Sequence, residues 1–328
     1  MQSDVFKTIE RNFEYKRSTA IKDANALKEE TYEKFPRLKE IDNLIFKCGI
    51  QASKATIANA SDKDSILSEL EEKISELKKE RDEILVKNNI SLEPKFECDK
   101  CNDSGYELLS NGTKMCTCFK QELINEAYNK SNLYKLKEDN FQKFDISLFS
   151  SESDILKYRT NLSPRENMEK IKSLCENFID NFDNSNQKNL LFTGTPGIGK
   201  TFLSGCIANE LLNKGYTVLY QTAPVLLDRI FEYKYNNKET SKELYDNLFN
   251  VNLLIIDDLG TENLTSAKFS ELFTIINSRL LNPQTKTIIS TNLSLENLAK
   301  NYDDRILSRL IGNFNICKFF GEDLRLKR

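Results

Sequence analysis

The segment Gly194-Thr195-Pro196-Gly197-Ile198-Gly199-Lys200-Thr201 has the spacing G-x-x-x-x-G-K-T. It follows the apolar run of residues 190–192, so the sequence predicts a strand, a glycine-rich turn and a helix in succession. Glycines let the backbone wrap closely enough for its N–H groups to point at phosphate oxygens. We therefore expect a nucleoside triphosphate at this loop, with Lys200 on its β- and γ-phosphates and Thr201 on a Mg²⁺ ion. The following helix would direct its positive N-terminal end at the same anion.

Composition sets the class of protein. The chain has 328 residues, of which 39% are apolar and 30% charged, which suits two domains, or one domain with a long extension, and a buried core. The formal net charge is −3, so any contact with nucleic acid must be local. No apolar signal segment or membrane-length apolar run is found, and we expect a soluble cytoplasmic protein without a membrane partner. The chain contains no histidine, which excludes imidazole acid–base chemistry and histidine metal ligands.

Residues 1–95 predict a helical region. Glycine is scarce there, and Pro36 is expected to begin or kink a helix. Apolar residues recur at steps of three and four, with Arg81 in one of the expected apolar positions. They are Leu67, Leu70, Ile74, Leu77 and Ile84. This amphipathic seam fits a helical hairpin that packs on itself and also fits an intermolecular coiled coil.

Four of the eight cysteines are clustered within residues 96–120. Cys98 and Cys101 form a C-x-x-C pair, and Cys116 and Cys118 form a C-x-C pair after a turn at residues 111–112. Four thiolates at this spacing predict a closed tetrahedral zinc site with a structural role. Two disulfides are the alternative, although a cytoplasmic chain would keep these thiols reduced.

The remainder of the chain alternates between strands and helices. Residues 121–160 are expected to be a connector whose Phe141, Phe144 and Phe149 pack onto the following domain. The domain itself spans residues 161–328 and opens with a helix over 167–182. Short apolar runs follow at 190–193, 217–220, 253–256, 287–290 and 315–320. Because helical stretches separate them, we predict an α/β fold with a five-stranded parallel sheet covered on both faces.

Polar residues follow two of these predicted strands. The run at 253–256 ends in Asp257 and Asp258, which would lie beside the phosphate loop at the carboxyl edge of the sheet. Asp257 is expected to hold Mg²⁺ through water, and Asp258 to polarise the attacking water. Asn292 follows the next strand and could orient that water or contact the γ-phosphate. Positioning and charge stabilisation suffice for phosphoryl transfer to water.

Three arginines near the end of the chain are candidate phosphate contacts. Arg305 and Arg309 stand four residues apart and share one face of a predicted helix. An arginine that reaches a neighbouring copy's γ-phosphate would couple hydrolysis to assembly. A salt bridge to Asp303 or Asp304 is the alternative for Arg305, and a solvated charge is the alternative for Arg325.

A helical stretch between residues 221 and 250 could contact single-stranded nucleic acid. Its basic and aromatic members are Arg229, Lys234, Tyr235, Lys238 and Lys242. Basic groups for phosphates and an aromatic ring for base stacking suit single strands. Glu232, Glu239 and Glu243 are interspersed, and this mixture fits a solvated helix face equally well.

The order of these motifs resembles the DnaC/DnaI-type replicative helicase loaders of the AAA+ superfamily. The resemblance covers nearly the whole chain, including the cysteine module and the segment at residues 140–145. It implies Walker A at residues 194–201 and Walker B at Asp257 and Asp258. It also implies sensor 1 at Asn292, an arginine finger at Arg309 and sensor 2 at Arg325. The Asp-Asp ending of Walker B, where many AAA+ proteins have Asp-Glu, leaves the rate of hydrolysis open.

The resemblance also implies a function. It implies an ATPase that uses ATP, Mg²⁺ and Zn²⁺, with weak hydrolysis stimulated by partners. The helical region would bind the replicative ring helicase, and the ATPase domain would bind single-stranded DNA and assemble through Arg309. Three alternatives remain open: an IstB-type ATPase helper of a transposase, a small-molecule P-loop kinase, and a coiled-coil adaptor that binds ATP without hydrolysing it.

Overall fold

The computed structural model of the chain describes residues 2–57, 63–127, 138–236, 242–263 and 265–326. The chain forms two compact units. We call Glu10–Gly112 the helical unit, and Met1–Ile9 together with Thr113–Arg328 the sheet unit. The finer division at residues 95, 120 and 160 stays a prediction. No helix in the described part of the chain combines the length and apolarity needed to cross a bilayer.

The helical unit is built from three long helices and a short strand, as the composition predicts. The helices are α1 (Gln2–Lys34), α2 (Pro36–Ile57) and α3 (Lys63–Lys87), and the strand β1 (Tyr106–Leu109) pairs with β2 (Gly112–Met115). Pro36 begins α2, because its fixed φ suits the first helical turn and its missing N–H is not needed there.

The amphipathic seam of α3 packs against α2, so the helical hairpin is the correct alternative. Leu38 and Ile41 of α2 and Leu77 of α3 are buried. Arg81 occupies an expected apolar position because Asp42 of α2 is its partner, with 2.9 Å from Arg81 Nε to Asp42 Oδ1. The seam is therefore used within one chain.

The sheet unit contains a five-stranded sheet, which confirms the predicted fold class. Its strands are β3 (Asn189–Thr193), β4 (Val218–Thr222), β5 (Leu253–Leu259), β6 (Lys286–Thr291) and β7 (Phe314–Lys318). All four pairings are parallel, and the strand order is β4-β5-β6-β3-β7. This order brings the carboxyl ends of β3, β5 and β6 to the same part of one edge.

Helices cover both faces of the sheet. Successive side chains of a strand point to opposite faces, so Leu190 and Phe192 join one core cluster and Leu191 joins the other. The helices described from residue 113 onward are α4 (Thr117–Ala127), α5 (Ile155–Tyr158), α6 (Pro164–Asp180), α7 (Lys200–Asn213), α8 (Ala223–Asn236), α9 (Lys242–Asn250), α10 (Ser266–Leu281), α11 (Leu295–Asn301) and α12 (Asp304–Asn313). A capping box between Ser163 and Glu166 starts α6, three residues before the predicted helix.

One fully buried arginine, Arg279 of α10, joins the segments at the edge of the sheet away from the phosphate loop. All five of its N–H groups donate hydrogen bonds. The acceptors are Thr287 Oγ1 at 2.9 Å and the carbonyl oxygens of Leu248 at 2.8 Å, Val251 at 3.0 Å, Asn252 at 3.4 Å and Lys286 at 2.6 Å. Burial lowers the pKa of Arg279 to about 9. No local sequence pattern marks this residue.

Candidate nucleotide site

The phosphate loop connects β3 to α7, as the motif predicts. Three of its glycines have positive φ angles, 143° at Gly194, 79° at Gly197 and 92° at Gly199, which favour residues without a side chain. A Cβ atom at Gly194 would overlap the carbonyl oxygen of Phe319, and one at Gly197 would overlap the carboxylate of Asp323. The loop therefore takes its shape from glycine and from the close approach of residues 319–323.

Lys200 is the first residue of α7, and its ammonium group bridges the loop to the end of β6. Its Nζ donates to the carbonyl oxygens of Gly194 at 2.7 Å and Thr195 at 2.8 Å, and to Asn292 Oδ1 at 2.8 Å. Burial lowers the pKa of Lys200, and the nearby carboxylates of Asp258 and Asp257 oppose this shift. Lys200 and Asn292, predicted from separate motifs, thus share one site.

Asp257, near the end of β5, is 2% exposed and lies against the first turn of α7. The hydroxyl of Thr201 donates to its Oδ2 at 3.0 Å, and the hydroxyl of Tyr220 donates to the same oxygen. Its Oδ1 accepts from the hydroxyl of Ser290 and from the N–H of Asp258 at 3.1 Å. Thr201 and Asp257 supply the hydroxyl and carboxylate oxygens that Mg²⁺ prefers, so this donor pair fits the predicted ion.

Tyr220 and Ser290 are functional candidates that the sequence motifs do not predict. Both lie inside apolar runs whose pattern predicts only strands. The signal that could have found them is a polar side chain near the carboxyl end of a strand next to β5.

Asp258 adopts a strained backbone conformation beside Asp257. Its φ is 55°, in the left-handed region, and strain of this kind is concentrated at functional sites. Asn292 Nδ2 donates to Asp258 Oδ1 at 3.3 Å, so the predicted water-polarising and water-orienting side chains are in contact. Burial, and then the charge of Asp257, raise the pKa of Asp258.

A cavity of 540 Å³ lies over these groups. One wall is formed by the phosphate loop and the residues that follow β5 and β6, namely Pro196, Gly197, Gly199, Lys200, Thr201, Asp258 and Asn292. Its apolar wall includes Phe144, Leu148, Phe149 and Met168. Phe144 is stacked on Phe149 with 6.2 Å between ring centroids. The described aromatic part of the expected connector does pack against the core of the five-stranded sheet. It also forms one side of the candidate nucleotide site, which the sequence pattern does not predict.

Arg325 borders the same cavity. Its guanidinium group is paired with Asp323, with 2.7 Å from Arg325 NH2 to Asp323 Oδ2, and this pairing raises the pKa of Arg325. The N–H of Leu324 donates to the carbonyl oxygen of Gly197 at 2.9 Å. Arg325 is therefore held next to the phosphate loop with its side chain 67% exposed, and its contact with a phosphate stays a prediction.

Arg309 and Arg305 share one face of α12, as predicted, but neither borders the cavity. Arg309 Nε donates to Asn277 Oδ1 at 2.8 Å, and its guanidinium carbon lies 4.4 Å from the centre of the Phe273 ring. Arg305 pairs with Asp303 at 2.7 Å, so the salt-bridge alternative is correct for that residue. A phosphate contact by Arg309 would have to be made to another copy of the chain.

The candidate DNA-binding residues are only partly described. Lys234 pairs with Glu271 at 2.5 Å, which fits the solvated-face alternative for that residue. Arg229 is half-buried on α8. Lys238 and the side chains of Tyr235 and Lys242 lie outside the described part of the chain.

The clustered cysteines can hold a metal ion. The sulfur atoms of Cys98, Cys101, Cys116 and Cys118 all lie within 4.8 Å of one another. Tetrahedral Zn–S bonds of about 2.3 Å place sulfurs about 3.8 Å apart, so the four thiolates fit zinc. The buried carboxylate of Asp103 accepts from the N–H groups of Glu97 and Cys98, each at 2.9 Å, and stabilises the turn that carries the first pair.

We expect freshly purified, reduced protein to contain about one zinc per chain, because four thiolates close a structural site. Elemental analysis tests this, and Cys101→Ser should lose most of the metal. Cys48→Ala, which removes a lone cysteine of α2, is the matched control and should retain it. Protein free of zinc, or equal zinc in both variants, would reject the site.

The fold and the nucleotide site define a P-loop ATPase of the AAA+ class: a parallel sheet with its phosphate loop after β3 and its acidic pair at the end of β5. The sequence matches the family model described as "IstB-like ATP binding protein" over residues 122–328, more than half of the chain. The chain therefore belongs to the IstB-like ATP-binding family.

Curated relatives carry two kinds of name. The replicative helicase loader DnaC of Escherichia coli K12 is 31% identical over 145 residues, which cover 43% of this chain and 57% of that protein. DnaC of Buchnera aphidicola is 31% identical over 164 residues, covering 49% of this chain and 66% of the relative. An ATP-binding protein assigned to an insertion sequence in Sinorhizobium fredii is 29% identical over 160 residues, covering 47% and 62%. The chain thus spans less than two thirds of the length of these relatives.

Solved structures of two helicase loaders are similar to this chain. The crystal structure of DnaI has a TM-score of 0.45 and 22% identity, covering 58% of this chain and 93% of that one. The crystal structure of the DnaC helicase loader has a TM-score of 0.45 and 22% identity, covering 57% and 99%.

Proposed function

We propose that this chain is an ATP-dependent loader of a replicative DNA helicase. The observation that carries the ATP part is the convergence of Lys200, Thr201, Asp258 and Asn292 on one cavity beside a glycine-rich loop, with Asp257 bonded to Thr201 directly behind it. Membership of an ATP-binding family supports the choice of nucleotide. The loader role is supported by relatives named helicase loaders.

ATP fits the cavity with its phosphates on the loop and its base against the apolar wall. The N–H groups of the loop and the N-terminus of α7 would bind the phosphates. Lys200 would exchange its bonds to the carbonyl oxygens of Gly194 and Thr195 for the β- and γ-phosphates. Phe144, Phe149 and Met168 would cover the base, which desolvates it.

Hydrolysis would depend on positioning. A Mg²⁺ ion, when bound, supplies positive charge to the β- and γ-phosphate oxygens. Thr201 and Asp257 would hold that ion, and Asp258 with Asn292 would orient the attacking water. We propose that turnover by one chain alone is weak, because Arg309 does not reach the cavity of its own chain.

Arg309 is the proposed link between hydrolysis and self-assembly. Asn277 and the Phe273 ring hold its guanidinium group at the surface of α12. This anchoring reduces the rotamer freedom that is lost when the side chain meets a phosphate of a neighbouring copy.

The helical unit is the proposed contact for the ring helicase. Phe46 and Ile57 of α2 are 68% and 84% exposed, and Ile50 lies between them on the same face. This face, Phe46-Ile50-Ile57, is opposite to the face that buries Leu38 and Ile41 against α3. Neighbouring exposed apolar side chains of this kind mark protein-binding surfaces. Single-stranded DNA is the second proposed partner. Arg229 of α8 is a candidate DNA contact within the described part of the chain.

The second candidate function is an ATPase helper of a transposase. The family model is named for IstB, and one relative is assigned to an insertion sequence. The long helical unit and the cysteine cluster favour the loader, because a bare ATPase core would suffice for a helper.

Lys200→Ala should weaken binding of a fluorescent ATP analogue about 100-fold, because one ammonium group contacting two phosphates contributes about 3 kcal/mol. Fluorescence titration measures this. Lys214→Ala, near the other end of α7 and paired with Asp180 at 3.1 Å, is the matched control and should bind like wild type. Unchanged affinity in the Lys200 variant would refute the loop assignment.

Arg309→Ala should bind ATP normally but lose roughly 10³-fold of the hydrolysis stimulated by assembly, as expected for an arginine that acts on a neighbour's phosphate. Phosphate release with helicase and DNA present measures this, and Arg305→Ala is the control one turn away. Mixing the Arg309→Ala and Lys200→Ala variants should restore part of the activity, because each supplies the group that the other lacks. Wild-type turnover by Arg309→Ala alone would remove it from this role.

The full chain should co-elute with the purified replicative helicase of its own cell and increase the helicase bound to single-stranded DNA circles when ATP is present. Phe46→Glu should abolish co-elution, because it places a charge on the exposed apolar face of α2. Leu156→Glu, at a side chain 95% exposed in the sheet unit, is the matched control. Co-elution with a transposase and not with the helicase would favour the helper.

A further inference from the structure

Two hydroxyl groups hold the carboxylate of Asp257 from the two strands that flank β5. We propose that Tyr220 and Ser290 are positioning residues that orient this carboxylate toward the Mg²⁺ ion of bound ATP. The inference rests on the proposed function, because it concerns how the ATP site holds its metal.

The sheet itself brings the two hydroxyls to Asp257. In the strand order β4-β5-β6, Ile255 is the register partner of Tyr220 on one side and of Ile288 on the other. Side chains two residues apart in a strand share a face, so Asp257 and Ser290 lie on the face that carries Tyr220. A tyrosine and a serine from opposite sides can therefore reach one carboxylate without any loop rearrangement.

The two hydroxyls act on different oxygens. Ser290 and the N–H of Asp258 donate to Oδ1. Tyr220 binds Oδ2, the oxygen that also accepts from Thr201 at 3.0 Å. Because Thr201 is the proposed direct ligand of Mg²⁺, Oδ2 is the oxygen that would serve the ion when it binds. Ser290 thus stops rotation of the carboxylate, and Tyr220 keeps Oδ2 directed toward Thr201.

A purely structural role for these hydroxyls has a different signature. Any buried carboxylate needs hydrogen-bond donors, and removal of a donor then costs stability whether or not a metal binds. Partners that orient a metal-binding side chain affect metal affinity instead, typically by 10- to 100-fold. The Mg²⁺ dependence of nucleotide binding separates the two roles without reference to turnover.

The test titrates MgCl₂ into wild type, Tyr220→Phe and Ser290→Ala, each mixed with a fluorescent ATP analogue, and repeats the binding in EDTA. We expect the Mg²⁺ concentration at half-maximal enhancement of binding to rise about 10-fold in each variant. Binding in EDTA should stay within about twofold of wild type, because the loop and Lys200 are untouched. Tyr216→Phe is the matched control, since it removes a tyrosine–carboxylate bond to Asp183 at 2.5 Å far from the carboxyl edge of the sheet.

Each outcome has one meaning. Suppose that the wild-type chain binds the analogue but the Mg²⁺ concentration at half-maximal binding is unchanged or lower in both variants. That result overturns the positioning role and leaves the proposed function standing. Failure of wild type to bind the analogue overturns the proposed function itself. If both variants lose the circular-dichroism signal of the folded chain, the two hydroxyls are needed for folding, and this result also overturns the inference.

Discussion

The hydrogen bond from Thr201 to the buried carboxylate of Asp257 is the contact on which the nucleotide site depends. It ties the first turn of α7 to the end of β5, and so it joins the phosphate loop to the acidic strand. A buried carboxylate requires several donors, and the sheet supplies them from both neighbouring strands. Lys200 makes a parallel connection from the loop to Asn292 beyond β6. Together these two bonds fix three strand ends around one cavity.

Sequence reasoning recovered the parts of this arrangement that have a local pattern. The glycine spacing predicted the loop, continuous apolar runs predicted the five strands, and acidic or amide residues after strands predicted Asp257, Asp258 and Asn292. Strand limits shifted by up to three residues, since β5 extends to Leu259 through the acidic pair itself. Pairing with β4 reaches Asp257, and pairing with β6 resumes at Leu259 after an irregularity in register at the acidic pair.

The parts that sequence reasoning missed depend on contacts between distant residues. Tyr220 and Ser290 look like ordinary strand residues until the strand order places them beside Asp257. Phe144 and Phe149 look like anchors of a connector until the fold brings them opposite the phosphate loop. Periodicity could not separate a hairpin from a coiled coil, because both bury the same seam of α3. The pairing of Arg81 with Asp42 is what distinguishes them, and it needs knowledge of the partner helix.

Arg279 limits which amino-acid substitutions this fold can accept at that position during evolution. A guanidinium group is planar and carries five donors, and all five are used here. A lysine offers three donors from a single atom, so at least two of the acceptors would lose their partner inside the protein. Replacement of arginine by lysine, which is tolerated at many sites, is therefore unfavourable at this position. Retention of an arginine near the end of α10 would mark distant homologues that keep the same strand edge, even where their nucleotide loops have diverged.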